Sequence, residues 1–142
     1  SKYTLPIITK LLPNTLFGTL AIVATAPILK LTLPLEIIDV VFITLAIEFI
    51  FLAHMFYSAQ LDLMNPQNRL YASVGGSVSN PNETKSTVYA FLISFLTAIA
   101  MFLLLFEGRG NVYLKFILVA AGALIYRTWM FFSMVKLYYK EK

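Results

Sequence analysis

Cysteine is absent from this chain and histidine occurs once. Without thiols there is no disulfide framework and no Cys-ligated metal centre, and one imidazole cannot build a zinc cluster. Charge is scarce as well. Asp, Glu, Lys and Arg make up 13% of 142 residues, against about 25% in a soluble domain. Phosphate-binding signatures are missing: Gly75-Gly76 is not followed by the Lys-Ser/Thr of a nucleotide loop. The basic residues are scattered, which gives nucleic acid no patch to grip. No Ser/His/Asp arrangement with usable geometry stands out. The chain is therefore expected to be no enzyme and to carry no cofactor. What it has in excess is oil. Hydrophobic residues reach 59% and aromatics 15%, and a soluble protein of this size could not bury that much apolar surface. A lipid bilayer removes the difficulty.

The expected fold is an all-α membrane protein, a bundle of four transmembrane helices in one domain over residues 1–142. The spans fall at about 14–33, 35–59, 81–106 and 112–138, each near the ~20 residues that cross a hydrocarbon core of about 30 Å. Ser1 to Pro13 mixes apolar residues with Lys2, Lys10 and two prolines, which fits a short interfacial segment. Asn14 is then a plausible cap for the first span. Pro27 should loosen that span, with threonines or neighbouring helices meeting the freed carbonyl. Gly18, Ala21, Ala24 and Ala26 offer small surfaces for close packing. Asn80-Pro81-Asn82-Glu83 is a start signal for the third span, with Asn80 as cap and Pro81 in the first helical position. Trp129, Tyr138 and Tyr139 read as interfacial anchors of the fourth.

Between the second and third spans lies the one long polar interval, Gln60 to Thr87, with its loop at 60–80. Four spans put this loop and both chain ends on one side. That side holds Lys2, Lys10, Arg69, Lys85, Lys136, Lys140 and Lys142, against Lys30, Arg109 and Lys115 opposite. The positive-inside rule then makes the loop and both termini cytoplasmic. Asn82-Glu83-Thr84 matches a glycosylation acceptor, but in that location it reads as helix-start chemistry.

Two charges fall deep in the spans. Glu48 and Arg127 each count to roughly 20 Å below the outer face at 1.5 Å per residue. An unpaired charge at that level is costly, so Glu48 and Arg127 are expected to pair across the second and fourth spans. Asp39 and Lys115 are expected to form a shallower outer pair. A structural ion pair that sets helix register and a polar pathway are both compatible with this placement. Glu48 and His54, six residues apart, sit on different helix faces and make a poor proton relay.

The runs Ser58-Ala59-Gln60-Leu61-Asp62-Leu63-Met64-Asn65-Pro66-Gln67, Tyr71-Ala72 and Asn80-Pro81-Asn82-Glu83-Thr84-Lys85-Ser86-Thr87 resemble a cytoplasmic loop of ABC-2-type transporter permeases of Firmicutes and their relatives. The pattern there is D-x-x-N-P followed by an Asn-Pro-Asn-Glu-x-Lys-Ser segment that leads into a transmembrane helix. Asp62, Asn65, Pro66, Asn82, Glu83 and Lys85 match it, over about thirty residues. The resemblance implies the C-terminal membrane portion of a permease in a bacterial plasma membrane, with a separate ATP-binding subunit as partner and the 60–87 loop as coupling element. Arg69, Glu83 and Lys85 would contact the ATPase, while Asp62 and Asn65 would shape the turn. Further partners would be membrane lipid and other membrane helices, from the rest of the permease or a second copy. A full permease has more than four spans, and Ser1 opens without an initiator Met, so a portion of a longer protein is expected. The outer turn Glu107 to Asn111 is too short for the re-entrant helices that some ABC-2 exporters carry there. Two other readings stand beside this one: a small structural subunit of a larger membrane complex, and half of an ion-coupled carrier that uses Glu48.

Overall fold

A computed structural model describes residues 4–65, 80–107 and 110–140. They form four helices, α1 (Thr4–Thr32), α2 (Ile37–Met64), α3 (Pro81–Glu107) and α4 (Val112–Lys140), with no strand among the described residues. Each contains a segment long and apolar enough to cross a bilayer: Leu11–Thr32, Ile37–Met64, Pro81–Leu104 and Val112–Leu137. The chain is a multi-pass helical membrane protein. Its large side chains point outward, Leu31 at 86% exposure and Phe17 at 77%, while the buried residues are mostly small. That inversion is stable only where the surroundings are as apolar as the side chains.

The organising helix is α2, which touches all three others. Within the described residues α1 packs on α2 alone, and α3 meets α2 and, more sparsely, α4. The buried positions of α2 are Val40, Ile43, Ala46, Ala53, Ala59 and Gln60, a helical spacing that gives one continuous seam. Ala46, fully buried, sits with Phe116 and Ala120 of α4 at the centre of that seam, ringed by Phe49, Ile50, Met101 and Ile117. Alanines let the two backbones approach, which is how helices gain van der Waals contact when lipid is the alternative neighbour. Lower down, the Phe56 ring packs 5.3 Å from Phe131. These contacts put α2 and α4 side by side and parallel.

Against α1, the close approach falls at Gly18, where a β-carbon would stand 2.1 Å from Cζ of Phe51. The phenyl ring occupies the space that any larger residue would need.

Three boundaries differ from the sequence expectation. First, α1 is helical from Thr4 straight through Pro13 and Asn14, so the interfacial segment ending at Pro13 and the cap at Asn14 are not present. A proline inside a long apolar helix forfeits one backbone bond but does not end it when lipid offers no better partner. Pro27 also stays inside α1. The Thr25 hydroxyl donates to Ile22 O at 2.6 Å, one residue before the Val23 carbonyl that Pro27 cannot reach. Second, α1 closes with Lys30 Nζ donating to Leu35 O, and Pro34 delays α2 to Ile37. Third, α2 continues to Met64 rather than stopping near residue 59. Ala59 and Gln60 are buried there, so the helix still has a face to cover and ends only at Asn65. The last two helices begin where expected. Gly110, at φ +72°, turns the chain in a conformation that a glycine adopts freely. Asn111 then caps α4 by accepting the Leu114 N–H at 3.0 Å.

Candidate functional site

The end of the bundle where α2 stops and α3 starts is held by side chains rather than by apolar packing. Asn80 caps α3 as its sequence suggests, its Oδ1 accepting the Asn82 N–H at 2.9 Å with Pro81 in the first helical position. Asn82, Ser86 and Tyr89 follow at i, i+4 and i+7, one stripe of α3. Each makes a polar contact with another helix. Asn82 Nδ2 donates to Asp62 Oδ1 at 3.1 Å and to Asn65 O at 2.8 Å. Ser86 Oγ lies 3.2 Å from His54 Nε2. Tyr89 Oη accepts from Arg127 Nη2 at 2.5 Å. Asn82 and Ser86 are both buried. Among the described residues α3 buries no apolar side chain, so this stripe, together with Met101 against the α2–α4 seam, attaches it.

Arg127 is boxed by aromatic faces. Its guanidinium carbon lies 4.8 Å from the Tyr57 ring centroid, 5.4 Å from Tyr89 and 6.0 Å from Tyr126. Each such contact is worth about 0.5–2 kcal/mol, the larger values where water is excluded. Tyr57 and Tyr89 pack against each other at 4.3 Å, and His54 stacks on Tyr89 at 6.4 Å. His54 Nδ1 is buried without a hydrogen-bond partner among the described residues.

The expected pairing of Glu48 with Arg127 is not what the structure shows. Glu48 Oε1 accepts from Thr19 Oγ1 of α1 at 2.6 Å, and its Oε2 is buried without a hydrogen-bond partner among the described residues. The reason is angular as well as axial. Ala46 faces α4, and two further residues turn a helix by about 200°, so Glu48 faces α1. Arg127 is level with His54 and Tyr57 rather than with Glu48, six residues or about 9 Å further along α2. For the outer pair, the described contacts include no ion pair between Asp39 and Lys115, and Lys115 has a contact of its own.

Above the Arg127 cluster, a cavity of about 440 Å³ lies between α2, α3 and α4, within the range of small-molecule sites. Its walls include Ala53 of α2, Ile93, Leu96 and Ala100 of α3, and Ala120 and Ala123 of α4. Its polar end is His54, Tyr89 and Arg127. A second hollow of about 230 Å³, lined by Ser86, Thr87, Ala90, Phe91 and Ser94, shares His54 with the first.

The loop residues singled out in the sequence divide into two sets. Asp62, Asn65 and Asn82 come together in the clasp just described. Glu83 and Lys85 are exposed. Pro66 and Arg69 lie outside the described residues. Thr19, Tyr57, Ser86 and Tyr89 were not anticipated. The signal for Ser86 and Tyr89 was present, since both continue the helical spacing from Asn82. No protein-family model matches the chain, and neither a curated protein nor a solved structure matches it.

Proposed function

We propose that the chain is the membrane-spanning part of a permease driven by a separate ATP-hydrolysing subunit, with the connection between α2 and α3 as its coupling element. The observation that carries the reading is how the motif residues divide. Asp62, Asn65 and Asn82 lock the two feet of the connection together, whereas Glu83 and Lys85 stand outward on the first turns of α3. A rigid base with charged residues on its outer side is what a coupling element needs. Force applied there reaches α3 as a lever and passes through Ser86 and Tyr89 to His54 and Arg127. The loop end, the N-terminus and the C-terminus are cytoplasmic in this reading, following the distribution of Lys and Arg. The outward apolar faces of α1 and α3 meet lipid or the remaining helices of the permease.

The test is co-purification of a nucleotide-binding partner with the full chain. Glu83→Lys and Lys85→Glu are exposed changes that leave the clasp intact, and each should reduce recovery of the ATPase several-fold. Recovery unchanged in both, with the fold intact, would refute the coupling role. The carrier reading has less support, because Glu48 and His54 face different helices and no relay joins them among the described residues.

A further inference from the structure

We propose that the groove between α2, α3 and α4 holds one acyl chain of an anionic phospholipid, whose phosphate sits on Arg127. Arg127 brings a full positive charge to the groove's end. Its neighbours there are a tyrosine hydroxyl and three ring faces, which solvate the charge without cancelling it. Among the described residues no carboxylate is bonded to it. The acid inside α2, Glu48, lies six residues or about 9 Å away from the level of Arg127 and is turned to Thr19 of α1.

The level is right for a headgroup. Tyr89, which accepts from Arg127, is the second residue of the uncharged run 88–106 that follows the polar first turns of α3. Arg127 therefore lies where the hydrocarbon core gives way to phosphates. The groove runs away from that boundary into the core. Its α3 wall extends from Tyr89 to Leu104, 15 residues or about 22 Å at 1.5 Å each, against about 15 Å for one leaflet of a ~30 Å core. Beyond Tyr89 the α3 wall is aliphatic apart from Thr97, and α3 and α4 touch only sparsely, which leaves one side open for a chain to enter from the bilayer. A small inorganic anion would use the arginine and leave the groove empty. An apolar helix would fill the groove and leave the arginine uncompensated. A phospholipid satisfies both, and His54 lines the groove at the same polar end. None of this depends on an ATPase.

The chain is reconstituted in bilayers of phosphatidylglycerol and phosphatidylcholine, extracted in mild detergent and weighed by native mass spectrometry. The wild type should retain phosphatidylglycerol, saturating at one per chain as its fraction rises, in preference to phosphatidylcholine. Arg127→Gln should lower that retention at least about tenfold, the effect of losing one charged hydrogen bond. Ala123→Phe keeps the charge but fills the groove and should lower it comparably. Inorganic phosphate in excess should not displace the lipid. Retention proportional to bulk lipid without saturation would overturn the proposal, and this is read on the wild type even if a variant fails to fold. So would full retention in Ala123→Phe, displacement by phosphate alone, or a lipid-free chain that is recovered only as a dimer.

Discussion

Asn82 offers the most direct test of the structure at the loop end. It is 3% exposed, and its amide donates twice, to the Asp62 carboxylate and to the Asn65 carbonyl. A hydrogen bond to a charged group contributes about 1.5–3 kcal/mol and one between neutral groups about 0.5–1.5 kcal/mol. Asn82→Ala should thus cost about 2–4 kcal/mol. Asn82→Asp keeps the shape but puts a carboxylate against Asp62. Two like charges 4 Å apart near a protein surface repel by about 4 kcal/mol, so Asn82→Asp should be worse than Asn82→Ala. Exchanging both partners, Asp62→Asn with Asn82→Asp, restores donor and acceptor in reverse and should recover a large part of the loss. Recovery stays incomplete because the Asn65 carbonyl then faces an acceptor. Unfolding in bicelles by steric trapping, with amide exchange of the first two turns of α3 as the local readout, measures all three. An Asn82→Asp protein within about 0.5 kcal/mol of wild type, or a double exchange no better than Asn82→Asp alone, would falsify the clasp.

Other substitutions separate the remaining contacts. Thr19→Val should weaken the attachment of α1 by about 1.5–3 kcal/mol, since it removes the hydroxyl bonded to Glu48; an unchanged unfolding free energy would count against that bond. Glu48→Gln keeps an acceptor for Thr19 and should unfold within about 1 kcal/mol of wild type, whereas a true ion pair with Arg127 would make it cost about 3–5 kcal/mol. Gly18→Val drives a side chain into the Phe51 ring and should cost about 1–3 kcal/mol, with part of the loss returned by Phe51→Leu; additive costs in the double variant would place the two residues apart. Ala46→Leu should overpack the α2–α4 seam by a similar amount, read in the same unfolding assay, and no loss there would mean the seam is not closely packed.

The helices themselves were legible because oil and punctuation agree. Asn80-Pro81 starts α3 and Gly110-Asn111 precedes α4, so those ends follow from local chemistry. Pro13 misled because proline ends helices in water, where the freed carbonyl finds a solvent partner; in an apolar helix it stays inside. The end of α2 was missed because Gln60 and Asp62 look like loop residues, although Ala59 and Leu63 continue the apolar face. The charge pair failed for a different reason. Counting residues from each turn gives depth, but it does not give the face. Ala46 shows which side of α2 meets α4, and only then does Glu48 fall on the opposite side. Arg127 among tyrosines had no linear signature, since Tyr57, Tyr89 and Tyr126 come from three helices.

The attachment of α3 ties these observations together. An apolar helix in lipid gains little by leaving lipid for a neighbouring helix, so its position has to be fixed by close packing of small residues or by polar contacts. Between α2 and α4 the alanines Ala46, Ala53 and Ala120 supply the first. Along α3 the polar set at Asn82, Ser86 and Tyr89 supplies the second, confined to about seven residues or roughly 10 Å of its length. The remaining part of α3 borders the groove and has large side chains such as Phe91, Phe95 and Phe102 turned outward. A rod tied by polar contacts over its first turns, with Met101 resting on the α2–α4 seam beyond them, has those polar turns as its most specific hold. Severing Tyr89 from Arg127 with Tyr89→Phe, which removes one hydroxyl and keeps the ring, should therefore change the width of the groove more than the stability of the fold. Spin labels at Thr97→Cys and Val119→Cys, unique in a chain without native cysteine, would read that as a broader distance distribution with unfolding shifted by no more than about 1.5 kcal/mol. An unaltered distribution in Tyr89→Phe would mean that α3 is positioned by contacts other than this stripe.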